Sequence, residues 1–432
     1  MEKNIINRFK SLCAIPHCSH DTAKMRQFLI EECKKAGANV SQDEAGNIVA
    51  LKGEPIVCLQ SHYDMVCMGR APIVEPYEEN GFLYAKESSL GADNGMGVAI
   101  MLEILATNDN IEYLFTNDEE VGLLGAGALD LEVKSPYLLN LDSEDEGIVY
   151  VGCAGGLELK ASMELKRSKL PEGYELFDVK VQDLPGGHSG IQITEPIPNA
   201  IIVLAQALKE HNGLLVQIQG GERINSIPSR SQAIVALPKD SKFDANGLIC
   251  TPSGEKISHY IDNSKQILNF LCAFPHGVLG WDEVLNVPSK STNLARIFGD
   301  NEALHVEIFA RAMDDEGLKK IENNHLALLD LGGFTVHYYH ENAPWTPQPS
   351  EFAKKVQEEA ERIWGPTRLG AIHAGLEPGL LAQKLPCLKE ACSIGPRIEA
   401  PHTVKERCEI ASVGRVADIV KSLIKRMQDV TC

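Results

Sequence analysis

An α/β chain with an α+β region inserted into it follows from three features of the 432-residue sequence. Short apolar segments alternate with amphipathic ones up to about residue 174. From 175 to 345 the segments become alternating polar and apolar, as half-buried strands read. After 346 the first pattern resumes. The predicted organisation is therefore 1–174 and 346–432 as two parts of a mixed-sheet main domain, with 175–345 as an inserted α+β lid.

The elements follow in order. Residues 4–13 and 21–36 are amphipathic and read as helices, the second with Asp21-Thr22 as an N-cap and Gly37 as its stop. His17 and His20 lie between them and read as turn surface. Residues 47–51 and 55–60 read as strands, and 71–87 as a long irregular loop. A Gly-rich stretch, Leu90-Gly91-Ala92-Asp93-Asn94-Gly95, leads into an apolar helix from Val98 to about Ala106. Residues 111–116, 137–141 and 147–153 are further strands.

In the insertion, 177–181, 232–237, 305–310 and 334–339 read as strands, with helices from Pro198 to Glu210 and over 315–330. Strand–helix–strand units at roughly 177–240 and 291–340 imply an internal duplication. Helices at 350–363 and 410–427 and a short buried strand over 391–395 complete the main domain.

Composition narrows the function. Lys plus Arg is 41 and Asp plus Glu is 60, a formal charge of −19. That balance opposes binding to nucleic acid or to an anionic membrane surface. No segment carries the roughly 18 consecutive apolar residues that span a bilayer, and no apolar leader follows Met1. The 12 cysteines form no C-x-x-C pair. They read as reduced, mostly buried thiols of a cytoplasmic protein.

The chemistry gathers at strand ends. Residues 56–61 form an apolar strand that runs into His62-Tyr63-Asp64. Residues two apart share a face of a strand, so Asp64 can fix the tautomer of His62. The next strands end in Glu119-Glu120 and in Asp142. Asp93 stands in the Gly-rich loop, and His402 returns with the last segment. Each has an ordinary explanation alone: a polar strand end, an Asx-turn, a solvated acidic turn. Together they fit a divalent metal site of mixed N and O ligands at the carboxyl edge of a sheet.

The ordered set of His62-x-Asp64, Gly91-Ala92-Asp93-Asn94-Gly95, Glu119-Glu120-x-Gly122, Asp142 and His402 resembles the M20 family of dinuclear zinc peptidases over essentially the whole chain. Gly186-Gly187-His188-Ser189-Gly190, Phe274-Pro275-His276-Gly277, Ile372-His373-Ala374-Gly375-Leu376-Glu377 and Ser393-Ile394-Gly395-Pro396 resemble its Xaa-His dipeptidase branch.

The resemblance implies a catalytic domain with an inserted lid of ferredoxin-like units, and two Zn²⁺ per chain with Co²⁺ or Mn²⁺ as substitutes. It makes Asp93 the bridging ligand, His62 and Asp142 the rest of one metal site, and Glu120 and His402 the rest of the other. Glu119 becomes the general base and Asp64 the residue that orients His62. His188, Asn225, His276 and Arg311 of the lid, with His373 and Gly375, become the substrate-binding candidates. The implied activity is hydrolysis of dipeptides, Xaa-His such as β-Ala-His included. The rivals are an N-acyl amino acid deacylase or a tripeptidase with the same metals, and a non-catalytic binding protein. A small peptide is the expected partner, and a homodimer stays open beside a single-chain enzyme.

Overall fold

The strand Val57–His62 pairs in parallel with Ile111–Thr116 on one side and with Tyr137–Asn140 on the other. All six of its residues are buried, as expected of a parallel strand covered on both faces. Around it, in a computed structural model, lies an eight-stranded mixed sheet. Its order is Asn39–Gln42, Ile48–Lys52, Ile111–Thr116, Val57–His62, Tyr137–Asn140, Glu390–Ser393, Ile148–Cys153 and Arg368–Ile372.

The structure describes residues 1–239, 247–300 and 302–429. The chain divides into two units. The first comprises Met1–Gly152, Trp345–Ala371 and the chain from Leu376 onward; the second comprises Cys153–Pro344 and Ile372–Gly375.

In the first unit one sheet face is covered by the helices Glu2–Cys13, Ala92–Thr107, Glu351–Trp364 and Ile410–Asp429. Phe9, Ile100, Met101, Val416 and Leu423 share its core. Ala92–Thr107 is apolar all round and correspondingly buried almost throughout. A smaller core with Val49, Leu114, Leu138 and Leu381 covers the other face.

Two strands stand where the sequence reads as a loop. Pro76–Glu79 and Phe82–Ala85 form a hairpin within 71–87. Its turn is Asn80-Gly81, both with positive φ, as a two-residue type I′ turn requires. The hairpin continues through Arg407–Glu409 to Ile398–Glu399 in a four-stranded sheet. The turn that carries His402 is therefore anchored at both ends.

Among the described residues the second unit is built on a nine-stranded antiparallel sheet with three helices, Ala200–Glu210, Ser264–Ala273 and Asp315–Gly332. Asn199 caps the first through its side chain and Asp314 the last. The boundary expected at 174/175 falls instead between Gly152 and Cys153. The reason is the strand Gly155–Glu164, which pairs with both Ala303–Ala312 and Thr335–Asn342.

The same strand revises the expected tandem duplication. The group with Tyr174–Val181, Leu214–Gly220 and Ser231–Pro238 is nested inside the group that begins with Gly155–Glu164. The groups join at the single pair Gly220↔Ile297. The end of the expected 177–240 unit and the last three residues of 346–432 lie outside the described residues.

The cysteines are corrected too. Cys18 and Cys67 form a disulfide across 49 residues, because the turn after the first helix bridges to Met65 and brings Cys18 opposite Cys67. His17 is buried, with Nδ1 bonded to the Ile15 carbonyl, and is not turn surface. Among the described residues no helix is long and apolar enough to cross a membrane.

Candidate metal centre

The parallel register brings three strand ends level. His62 lies opposite Thr116, and Gln60 opposite Asn140. The residues just beyond them, Asp64, Glu119, Glu120 and Asp142, therefore emerge at one edge. Asp93 reaches this edge from the loop before its helix. Gly91 there has φ +70°, and Asn94 Nδ2 donates to the Leu141 carbonyl at 2.7 Å. The loop fits closely because Gly97 has no side chain: a Cβ there would lie 2.5 Å from Ser61 Oγ and 2.8 Å from the Leu141 carbonyl.

The two oxygens of Asp93 face two histidines. Oδ1 is 3.2 Å from His62 Nε2, and Oδ2 is 3.0 Å from His402 Nε2. A further carboxylate completes each side. Asp142 Oδ1 is 3.3 Å from His62 Nε2, and Glu120 Oε2 is 3.0 Å from His402 Nε2. The ligand atoms of His62–Asp93–Asp142, of Asp93–Glu120–His402 and of His62–Glu119–Glu120 lie within 4.8 Å of one another in each group.

A fixed tautomer follows. His62 Nδ1 donates to the Asp64 carbonyl at 3.0 Å, so Nε2 is the ring nitrogen that faces the acids and would ligate an ion. The Asp64 carboxylate is farther from that ring nitrogen, at 3.4 Å. Its hydrogen bonds come from Ser19 Oγ at 2.8 Å, Glu119 N at 2.9 Å and Glu120 N at 3.3 Å. Asp64 thus holds the Glu119-Glu120 turn at least as directly as it holds His62. Asn117 steadies the same turn. Thr22 stands at the N-cap position as expected, but its hydroxyl donates to Asn117 Oδ1 at 2.7 Å rather than capping the helix.

Electrostatics favour cations here. Burial, with Glu120, Asp142 and Glu377 nearby, pushes the Glu119 carboxyl well above the ordinary range, against the pull of His62. Burial likewise pushes Glu120 and Asp142 up to about 7. Burial disfavours the His62 imidazolium, yet Asp142, Asp64 and Asp93 outweigh it and raise its pKa well above 6.5. Glu120 Oε1 is buried without a hydrogen bond among the described residues. Crowded carboxylates and an unpaired buried oxygen are what divalent ions compensate.

Two buried acids were not among the sequence candidates. Glu377 Oε2 accepts from Gln60 Nε2 at 2.5 Å and Thr116 Oγ1 at 2.7 Å. Gln60 in turn accepts from Asn140 Nδ2 at 2.6 Å. Glu406 accepts four backbone N–H groups around Asp93. Both acids lie beside quoted motifs, Glu377 at the end of 372–377 and Glu406 four residues after His402. Neither spacing marks them as site residues.

The other candidates lie in the second unit. Arg311 and His373 are buried and flank Gly190, where a Cβ would lie 2.6 Å from the His373 carbonyl and 2.9 Å from Arg311 Nε. His373 Nε2 is 2.7 Å from Ser291 Oγ. His188 Nδ1 accepts from Gly190 N and Ile191 N, and the Asn225 carbonyl accepts from Ser189 N. His276 Nδ1 lies 3.5 Å from Asn199 Nδ2. Gly375 is exposed.

Fold and site define a metal-dependent hydrolase: a mixed α/β sheet with histidines and carboxylates converging at the ends of its parallel strands. The chain belongs to peptidase family M20/M25/M40, whose family model matches residues 58–426. It is a metal-dependent peptide hydrolase of that family. It is 29% identical to the cytosol non-specific dipeptidase of Escherichia coli K12, over 97% of this chain and 96% of that protein. Its structure is similar to that of the aminoacylhistidine dipeptidase from Vibrio alginolyticus, with a TM-score of 0.77, 27% identity and coverage of 98% and 96%. A tripeptidase from Staphylococcus aureus shares the fold, with a TM-score of 0.63, 18% identity and 98% coverage of both chains.

Proposed function

We propose that the protein is a dinuclear-zinc dipeptidase that hydrolyses dipeptides, Xaa-His such as β-Ala-His among them. The observation that carries this is Asp93, with one oxygen facing His62 beside Asp142 and the other facing His402 beside Glu120. Asp93 would serve both metal positions, with His62 and Asp142 holding one ion and Glu120 and His402 the other. The substrate class is supported by the E. coli and V. alginolyticus proteins, both named as dipeptidases.

Two zinc ions there, with Co²⁺ or Mn²⁺ as substitutes, would polarise the scissile carbonyl and lower the pKa of a water. Glu119 takes the proton of the attacking water and delivers it to the leaving amine. Asp64 orients Glu119 through the peptide N–H and His62 through the ring.

The substrate-binding part of the proposal rests on the second unit taken by itself. Arg311 is buried, and its Nε lacks a hydrogen-bond partner among the described residues. A guanidinium so placed suits a substrate carboxylate. His188, Asn225, His276, His373 and Gly375 are the proposed contacts to the rest of the dipeptide.

A cytoplasmic location rests on the name of the E. coli relative. The Cys18–Cys67 disulfide counts against it. Hydrolysis of a panel of dipeptides, tripeptides and N-acyl amino acids, with the zinc content of the same preparation, tests the function. Dipeptide cleavage with two zinc ions per chain is expected. Cleavage of acylated amino acids or tripeptides alone moves the protein to another branch, and a zinc-free active enzyme refutes the site.

A further inference from the structure

Glu406 is 2% exposed, and among the described residues every hydrogen bond to its carboxylate comes from the backbone of one short segment. Oε2 accepts from Leu90 N at 2.8 Å and Gly91 N at 3.0 Å. Oε1 accepts from Ala92 N at 2.8 Å and Asp93 N at 3.3 Å. Gly91, with φ +70°, turns the chain so that these four N–H groups converge. A carboxylate this deep is tolerated only where such charge-assisted bonds replace its water.

The other end of Glu406 belongs to the turn that carries His402. Its own N–H donates to the Thr403 carbonyl at 3.2 Å, and Thr403 Oγ1 donates to the Ala400 carbonyl at 2.8 Å. The strand Arg407–Glu409 follows at once. One side chain therefore joins the Asp93 loop to the His402 turn. These segments provide two of the three groups in Asp93–Glu120–His402, but only one of three in His62–Asp93–Asp142. His62 ends the strand Val57–His62, and Asp142 follows Tyr137–Asn140 with its N–H on Asn140 Oδ1.

We infer that Glu406 is a positioning residue: it locks the Asp93 loop to the His402 turn and so sets the affinity of the Asp93–Glu120–His402 metal position in preference to the other. This rests on the reading that the acidic cluster binds two ions. A glutamine at 406 keeps the shape but offers one acceptor oxygen, and its NH₂ faces two of the N–H groups. An aspartate keeps the charge and ends one methylene short.

The test is Zn²⁺ titration of metal-free wild type, E406Q and E406D against a competing chelator, resolving two binding steps. In E406Q one step weakens by about 10–100-fold, the range for residues that orient metal ligands, while the other stays at its wild-type value. E406D weakens the same step by less, and carries the comparison if E406Q does not fold. Two unchanged affinities overturn the inference, and so does an equal loss at both steps, which marks a general structural role. Wild type that binds no Zn²⁺ overturns the two-metal reading and this inference with it.

Discussion

Replacing Asp64 with asparagine is the sharpest test of how the centre is held together. The carboxylate accepts Glu119 N and Ser19 Oγ at 2.9 and 2.8 Å and Glu120 N at 3.3 Å, and stands 3.4 Å from His62 Nδ1. Asparagine keeps one acceptor. Its best orientation leaves the oxygen on Glu119 N and His62 and turns the NH₂ toward Ser19, whose hydroxyl can rotate to accept it. Glu120 N–H is then left facing a second donor. One unpaired buried donor costs about 1–3 kcal/mol, and hydrogen bonds that were worth roughly 1.5–3 kcal/mol each to a charged group weaken to neutral ones.

A loss of about 2–4 kcal/mol in stability follows, by the same arithmetic. The two ligands that Asp64 orients, His62 and Glu120, serve different metal positions, so both affinities fall, by about 10–100-fold. Chelator competition reads the affinities, urea unfolding of the metal-free protein reads the stability, and dipeptide turnover at saturating Zn²⁺ reads the residual rate. If D64N binds both ions as wild type does and turns over at the wild-type rate, Asp64 does not organise the centre and the reasoning fails.

Other outcomes are equally definite. E119Q should keep its zinc and lose about 10²–10⁴-fold in kcat, the usual contribution of a general base; a rate near wild type in the fully loaded variant refutes that role. His325 is 1% exposed, and burial holds its pKa near 4, against a smaller opposing effect of its bond to the Ile321 carbonyl. The unfolded chain then binds the proton that the folded one refuses, so stability is complete above pH 6.5 and lost as pH falls toward 4, by about 3 kcal/mol. H325Q should flatten that slope in urea melts without abolishing it, since His276 and His373 shift the same way. Reducing the Cys18–Cys67 bridge, or the C18S/C67S double variant, should lower stability by up to about 4 kcal/mol for a loop of this length; an unchanged melting temperature refutes it. G97A forces a methyl against Ser61 Oγ and the Leu141 carbonyl and should cost about 1–3 kcal/mol or more, with weaker zinc binding.

The strands and helices that carry the centre were legible in the sequence because they are local. The apolar run Val57-Cys58-Leu59 reads as a strand, and its polar continuation to His62 then lies at the strand's end. His62, Asp64, Asp93, Glu119, Glu120, Asp142 and His402 were found by asking what such edges carry. The hairpin within 71–87 was missed: Asn80-Gly81 is the signal that marks it, but the polar composition around that turn reads as loop.

What only the tertiary structure decided is everything that depends on contact between distant segments. Gly155–Glu164 belongs to the second unit because of its partners, Ala303–Ala312 and Thr335–Asn342, and no feature of the strand itself announces them. Cys18 and Cys67 are bonded because two turns happen to cross. Glu377 meets Gln60 across 317 positions, and Glu406 meets Asp93 across 313. Periodicity and turn chemistry are properties of neighbours along the chain, whereas a buried carboxylate's partners are set by which loops the packed sheet brings together.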